Sequence, residues 1–242
     1  MENIDEKDEK LENIQQDTKA EVVKEKEYYP LSLKKQFSTR KGRTRFITRV
    51  AMFGALAYVF YAFIKFPLPL FPSFLEVKFH NLFIILSGLL TGPLGGAISI
   101  LVMIGLKLTT IGTTSQFVGE LTDLVISFSV LLPSSLIYFK FHNKKGGVIG
   151  ILFSFLAWIV ASFLVNWFIS LPFYLEFYFH GNVEGFVDML SKTIKNVTVD
   201  NFTFMYLLVA VLPFNALVSF VNTSICILVY KRISIVLKKI GI

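Results

Sequence analysis

Long uncharged runs alternate with short charged clusters along this chain, and that alternation predicts its elements. Residues 146–175 and 201–230 carry no charged side chain, and each run exceeds the roughly 20 apolar residues a helix needs to cross a bilayer. Residues 79–106 are also uncharged, but T-G-P-L-G-G sets Gly92, Pro93, Gly95 and Gly96 in their middle. Proline opens helices and glycine closes them, so this run predicts two helices folded into a hairpin. Residues 50–64 and 124–139 supply two more spans, the first extended by Ile47 and Phe66, with Lys65 placed to snorkel. The fifth span is expected to run to about Pro172 and the sixth to end at Lys231 and Arg232. The fold class predicted is an all-α integral membrane protein, a bundle of six transmembrane helices with a proline-rich external loop between helices 1 and 2.

The charged clusters orient this bundle. Lys34, Lys35, Arg40, Lys41, Arg43, Arg45 and Arg49 crowd against the first span, and Lys140, His142, Lys144 and Lys145 close the fourth. Residues 174–201 instead carry Glu176, Glu184, Asp188 and Asp200 against Lys192 and Lys195. Six crossings from a cytoplasmic start put every strong basic cluster inside, with both termini cytoplasmic and the acidic segment external. Residues 1–46 form a charged, disordered tail ending in a basic collar, residues 47–232 the membrane domain, and residues 233–242 a basic tail. The first residues lack the apolar core of a signal peptide. Composition agrees: of 242 residues, 54% are hydrophobic and 17% charged, with a mean hydropathy of +0.62. The net charge of +7 follows from topology and calls for no nucleic-acid partner.

Little in the chain suggests bond-making chemistry. There is no G-x-x-x-x-G-K-[ST] loop, His80, His142 and His180 lie on separate segments, and Cys226 is the single cysteine. Energy from ATP must then come through a partner, and no metal or cofactor is expected. Charged groups are nearly absent from the spans, which disfavours ion coupling. Glu120 and Asp123 sit three apart at the mouth of a helix, where capping and dipole compensation account for them.

Polar groups inside the apolar runs point instead to binding. An amide in lipid costs several kcal/mol unless paired, so Asn166 and Asn215 should face protein or ligand. Together they suit the polar edge of a flat, mostly apolar molecule. Residues 66–78, F-P-L-P-L-F-P-S-F-L-E-V-K, cannot be a continuous helix and read as an extended aromatic loop, with Phe74 and Leu75 placed to cover a ligand. Ala51 and Ala55 lie one turn apart on the first helix, a thin face that admits a neighbouring helix, with Gly54 read as widening it.

These residues resemble a known family, the substrate-binding S components of energy-coupling factor (ECF) vitamin transporters, and within it the riboflavin-specific members. The resemblance is carried by A-x-x-x-A at Ala51 and Ala55, P-x-F-L-x-V-x-F at residues 72–79, T-G-P-L-G-G, and G-E-L-x-[ND] at Gly119, Glu120, Leu121 and Asp123. N-[YW]-F-x-x-x-P-x-Y from Asn166 to Tyr174 and P-F-N at Pro213, Phe214 and Asn215 complete it. The resemblance implies uptake of a vitamin, riboflavin or a related flavin, across a bacterial cell membrane. It implies a site from Phe74, Leu75, Glu76, Lys78, Glu120, Asn166, Trp167 and Asn215. It also implies docking of Ala51 and Ala55 on a transmembrane scaffold (T) subunit that works with two ATPase subunits. The chain departs from the riboflavin pattern where Lys78, His80, Asn81 and Phe83 replace D-F-S-D-I-P residues and Val218 replaces a lysine. Another vitamin, a membrane-embedded enzyme and an assembly subunit are the competing readings, separated from the first by what small molecule stays bound on purification.

Overall fold

The structure is a computed structural model that describes residues 39–113, 116–141 and 143–240. The expected tail over residues 1–38 lies outside the described residues, as does His142. Helix α1 (Arg40–Phe63) is capped by Thr39, whose side chain accepts from the Gly42 N–H. The helix begins at Arg40, so much of the basic collar forms its first turns and not a tail ahead of residue 47. Its inward positions, Phe46, Val50, Phe53, Ala57 and Tyr61, fall at intervals of three and four residues, one stripe of a helix. Ala51 and Ala55 lie outside that stripe and are exposed. Gly54 corrects the reading above, because it faces inward. A Cβ there would come within 2.8 Å of Val102, so the missing side chain is what lets the next helix approach.

A short hairpin follows, with strand β1 (Lys65–Pro67) antiparallel to β2 (Glu76–Lys78) and Phe66 opposite Val77. The fold is therefore mostly helical and not all-α. Phe66 belongs to this hairpin with Lys65, so it does not extend the first span, which ends at Phe63.

Helix α2 (His80–Thr110) breaks at Gly92, whose φ of 84° and ψ of 177° lie outside the helical region, and Pro93 opens its second half. Ser87 Oγ and Ser99 Oγ are 2.8 Å apart, whereas twelve residues of straight helix would separate them by about 18 Å. The two halves are thus folded against each other. Helices α3 (Val118–Phe141) and α4 (Lys144–Val165) come next, and Asn143 caps α4 by accepting from the Gly146 N–H.

Helix α4 does not stop at the fifth-span proline. It passes through a π-helical turn at Asn166–Ser170 into α5 (Leu171–Phe179), one apolar run over Lys144–Phe179. In a regular helix the Pro172 ring would strike the carbonyl four residues back. The wider turn, in which the Leu171 N–H reaches the Asn166 carbonyl, makes room for it. The last span repeats the device. After α6 (Val183–Ser191) and the single turn α7 (Phe202–Phe204), Met205–Val211 is π-helical, with the Leu212 N–H on the Leu207 carbonyl. Helix α8 (Leu212–Ile240) then continues through Pro213 and into the segment read as a tail. Residues 174–201, read as an acidic segment, contain α6, which buries Phe186, Val187 and Leu190.

Among the described residues five helical runs are long and apolar enough to cross a membrane, the α2 run being the folded one. Helix α1 packs on α2, α3 on α2 and α4, and α8 on α4. Buried hydroxyls tie these helices together: Ser99 Oγ donates to the Val50 carbonyl at 3.1 Å and Ser154 Oγ to the Val130 carbonyl at 2.6 Å. The sharp bend at Gly92 needs a left-handed residue, and a Cβ would come within 2.9 Å of the Phe139 ring. Gly92→Ala is expected to cost about 1–3 kcal/mol, read as a lower thermal midpoint of the detergent-purified protein.

Candidate functional site

One end of the bundle is held by charge. On the hairpin, Lys65 Nζ lies 3.1 Å from both oxygens of Glu76. Lys78 sits directly opposite Lys65 in the strand pairing, but its Nζ turns to α3 and meets Asp123 Oδ2 at 2.7 Å, 4.8 Å from the centre of the Tyr61 ring. At the end of α2, Lys107 forms an ion pair with Glu120 at the start of α3, and Thr113 Oγ1 donates to the same carboxylate at 3.0 Å. Glu120 and Asp123 are thus counter-ions to lysines from other elements, which corrects their reading as helix-start caps. Burial explains the pairing, since Glu120 is 5% and Asp123 9% exposed and an unpaired charge there would be costly.

These pairs border a cavity of about 600 Å³. Its walls are aromatic, from Tyr61 of α1, Phe74 of the hairpin, Tyr174, Tyr178 and Phe179 of α5, and Phe186 of α6. Lys65, Glu76, Lys78, Lys107 and Glu120 supply the polar part, and Ala62, Ile111, Gly119 and Met189 complete it. The arrangement suits a planar ligand with alternating donors and acceptors, gripped on its faces by rings and at its edges by charged groups.

Of the residues expected from sequence, the structure brings Phe74, Glu76, Lys78 and Glu120 together on this cavity. Leu75 is buried in the core. Trp167 points away: it is 46% exposed on the outer surface, stacked on Phe168 with centroids 5.2 Å apart. Its neighbour Asn166 takes the inward position, and one helical step of about 100° turns Trp167 outward.

Neither asparagine lines the cavity. Asn166 Oδ1 accepts from the Tyr206 hydroxyl at 2.7 Å, and its Nδ2 donates to the Ser162 carbonyl. Asn215 Oδ1 accepts from Trp158 Nε1 at 3.1 Å, and its Nδ2 donates to the Val211 carbonyl. Both amides lie beneath the hairpin tip, for Phe74 packs on Tyr206 at 6.0 Å and Phe71 on Phe214 at 5.3 Å. They brace the floor on which the hairpin rests. A further set of buried polar atoms, both ring nitrogens of His80, Asn81 Nδ2 and Asn222 Oδ1, has no hydrogen-bond partner among the described residues. The Asn222 amide is anchored to this end by its bond to the Lys78 carbonyl at 3.1 Å.

Sequence reasoning passed over Tyr61, Lys107, Tyr178 and Phe186 as lining residues. Lys107 was detectable, as the cation that ends a 28-residue uncharged run over residues 79–106 with two acids shortly after it. The aromatic residues carried no such signal, because rings at helical spacing read equally as core.

Residues 45–230 match the family described as "ECF transporter, substrate-specific component", and the chain belongs to that family. It is a substrate-binding component of a transporter and not an enzyme. Among its relatives is the riboflavin transporter RibU of Staphylococcus aureus (strain TCH60), 28% identical over 196 residues, which are 81% of this chain and 93% of that protein. The riboflavin transporter FmnP of Bacillus subtilis (strain 168) is 25% identical over 129 residues, 53% of this chain and 67% of that protein. The fold is similar to that in "Structure and mechanism of the S component of a bacterial ECF transporter", with a TM-score of 0.60 and 24% identity, covering 81% of this chain and 99% of that one.

The bracing role of the amides has a direct consequence. Asn166→Ala leaves the fully buried Tyr206 hydroxyl without its partner, at an expected cost of about 1–3 kcal/mol. Adding Tyr206→Phe removes the stranded group, so thermal melts of the double variant should show less than the sum of the two single losses.

Proposed function

We propose that this chain captures riboflavin in the aromatic cavity beneath the hairpin and serves as the vitamin-specific subunit of an ATP-driven ECF transporter. The observation that carries the reading is the cavity itself, about 600 Å³ with ring-lined walls and paired charges at its rim, a size and character suited to one small organic ligand. The relatives that bear the name riboflavin transporter support it. Phe74, Tyr174 and Tyr178 pack on the isoalloxazine ring in this reading, while Glu76, Lys78 and Glu120 meet its carbonyls, ring N–H and side-chain hydroxyls. Leu75, Asn166 and Asn215 act from behind, by holding the hairpin and its floor. Riboflavin is cargo, and the chain needs no cofactor of its own.

In the same proposal the folded α2 run counts as two crossings, making six. Both termini then lie in the cytoplasm of a bacterial cell, and the hairpin and α6 lie outside. Ala51 and Ala55, exposed on α1 beside Met52, Leu56 and Val59, form the surface that meets the scaffold subunit, which couples the chain to two ATPase subunits.

Two experiments test this. Titration of the purified protein by quenching of flavin fluorescence should give saturable binding. Phe74→Ala should weaken it by about 1–2 kcal/mol, roughly tenfold, while Trp167→Ala leaves it unchanged. Equal losses in both variants, or no binding by the unaltered protein, would place the substrate or the site elsewhere. Trp at both Ala51 and Ala55 should abolish vitamin uptake by cells while the purified variant still binds. A parallel loss of binding would show that this face serves the bundle itself.

A further inference from the structure

Among the described residues three lysines line the cavity, Lys65, Lys78 and Lys107, and they are already held by carboxylates, Glu76, Asp123 and Glu120 respectively. We propose that these three ion pairs make the site selective for an uncharged flavin over its phosphate ester, with Asp123 and Glu120 as the principal specificity determinants. The proposal rests on the flavin reading of the cavity and adds to it the charge state of the ligand.

The physical case starts from what a paired lysine still offers. An ammonium has three donors, and a single carboxylate contact leaves others for a neutral carbonyl or hydroxyl. A carboxylate likewise keeps lone pairs for a ring N–H or a hydroxyl. The wall therefore presents many hydrogen-bonding groups but a balanced charge, its three lysines matched by Glu76 and Glu120 on the wall and by Asp123 behind Lys78. A neutral, polar-edged ligand can use every one of them without breaking a pair.

A phosphate group cannot. To gain a lysine it must draw that cation from its carboxylate, and then it stands beside a carboxylate whose charge is no longer compensated. Two of the three acids are almost wholly buried, where like charges are screened little by water. The outer pair, Lys65 with Glu76, is the most open, with side chains 45% and 29% exposed. It should discriminate least.

The test is the ratio of dissociation constants for riboflavin 5′-phosphate and riboflavin, measured by fluorescence quenching on the full purified chain. The unaltered protein should favour riboflavin by about tenfold or more. Asp123→Asn and Glu120→Gln each free a lysine from its counter-ion and should lower that ratio at least several-fold, and Glu76→Gln should lower it less. A cooperative thermal melt of the detergent-purified protein reports whether each variant is folded, and the ratio is read whatever the absolute riboflavin affinity. If the buried variants do not fold, Glu76→Gln decides alone, and a ratio equal to that of the unaltered protein then counts against the proposal. Equal affinity of the unaltered protein for both flavins, or an unmoved ratio in every folded variant, overturns it. Binding of neither flavin by the unaltered protein overturns the flavin reading itself, a result distinct from a ratio that fails to move.

Discussion

A lysine ammonium or a carboxylate left bare among apolar side chains costs several kcal/mol even after the surroundings relax, and much of this protein's architecture answers that constraint. Lys78 reaches Asp123 across 45 positions of sequence, and Lys107 meets Glu120 between the end of α2 and the start of α3. These contacts pin β2 to α3 and the C-terminal end of α2 to the same helix. With β2 fixed, the hairpin tip has one place to lie, and Phe71 and Phe74 come down on Phe214 and Tyr206. The cavity is the space that remains between the pinned hairpin, α5 and α6.

The floor of that arrangement obeys a second rule, that buried amides and hydroxyls find partners. Asn166 and Tyr206 join the two π-helical turns directly, one residue contributed by each. Each turn is followed at once by Leu-Pro, at residues 171–172 and 212–213. The prolines and the wide turns are one device used twice, since the local widening that accommodates the ring also rotates the side chains that follow. Asn215 comes two residues after Pro213 and turns inward to Trp158. The rigidity of the end that holds the cavity thus depends on irregular backbone at mid-helix, tolerated in a membrane because the wider turns keep the backbone groups around each proline hydrogen-bonded.

Much of this could be read from sequence because apolar runs, prolines and glycines act locally. The break at Gly92 was legible, since a Gly-Pro pair inside an uncharged run leaves few alternatives. Phe74, Glu76, Lys78 and Glu120, taken from separate motifs, do lie on one cavity. What escaped was long-range or rotational. Nothing local to Lys78 announces Asp123. Pro172 looked like an end because its missing N–H is visible in sequence, while the widened turn that absorbs it is not. Trp167 was misplaced by one position on a helix, and Gly54 by the same kind of error, since a small residue reads alike on the inner and outer face. The two asparagines were correctly seen as needing partners, but a sequence does not reveal that Tyr206 and Trp158 supply them.

The Lys107–Glu120 pair also bears on the order in which the long-range contacts can form. Its members are only 13 positions apart, at the end of α2 and the start of α3. Lys78 and Asp123 stand 45 positions apart, and closing that longer loop costs more chain entropy, by about 1 kcal/mol. The nearer pair therefore sets α3 against α2 at small entropic cost and brings Asp123, one helical turn further on, to where β2 can reach it. A substitution at either member would burden that later pairing as well as the cavity wall.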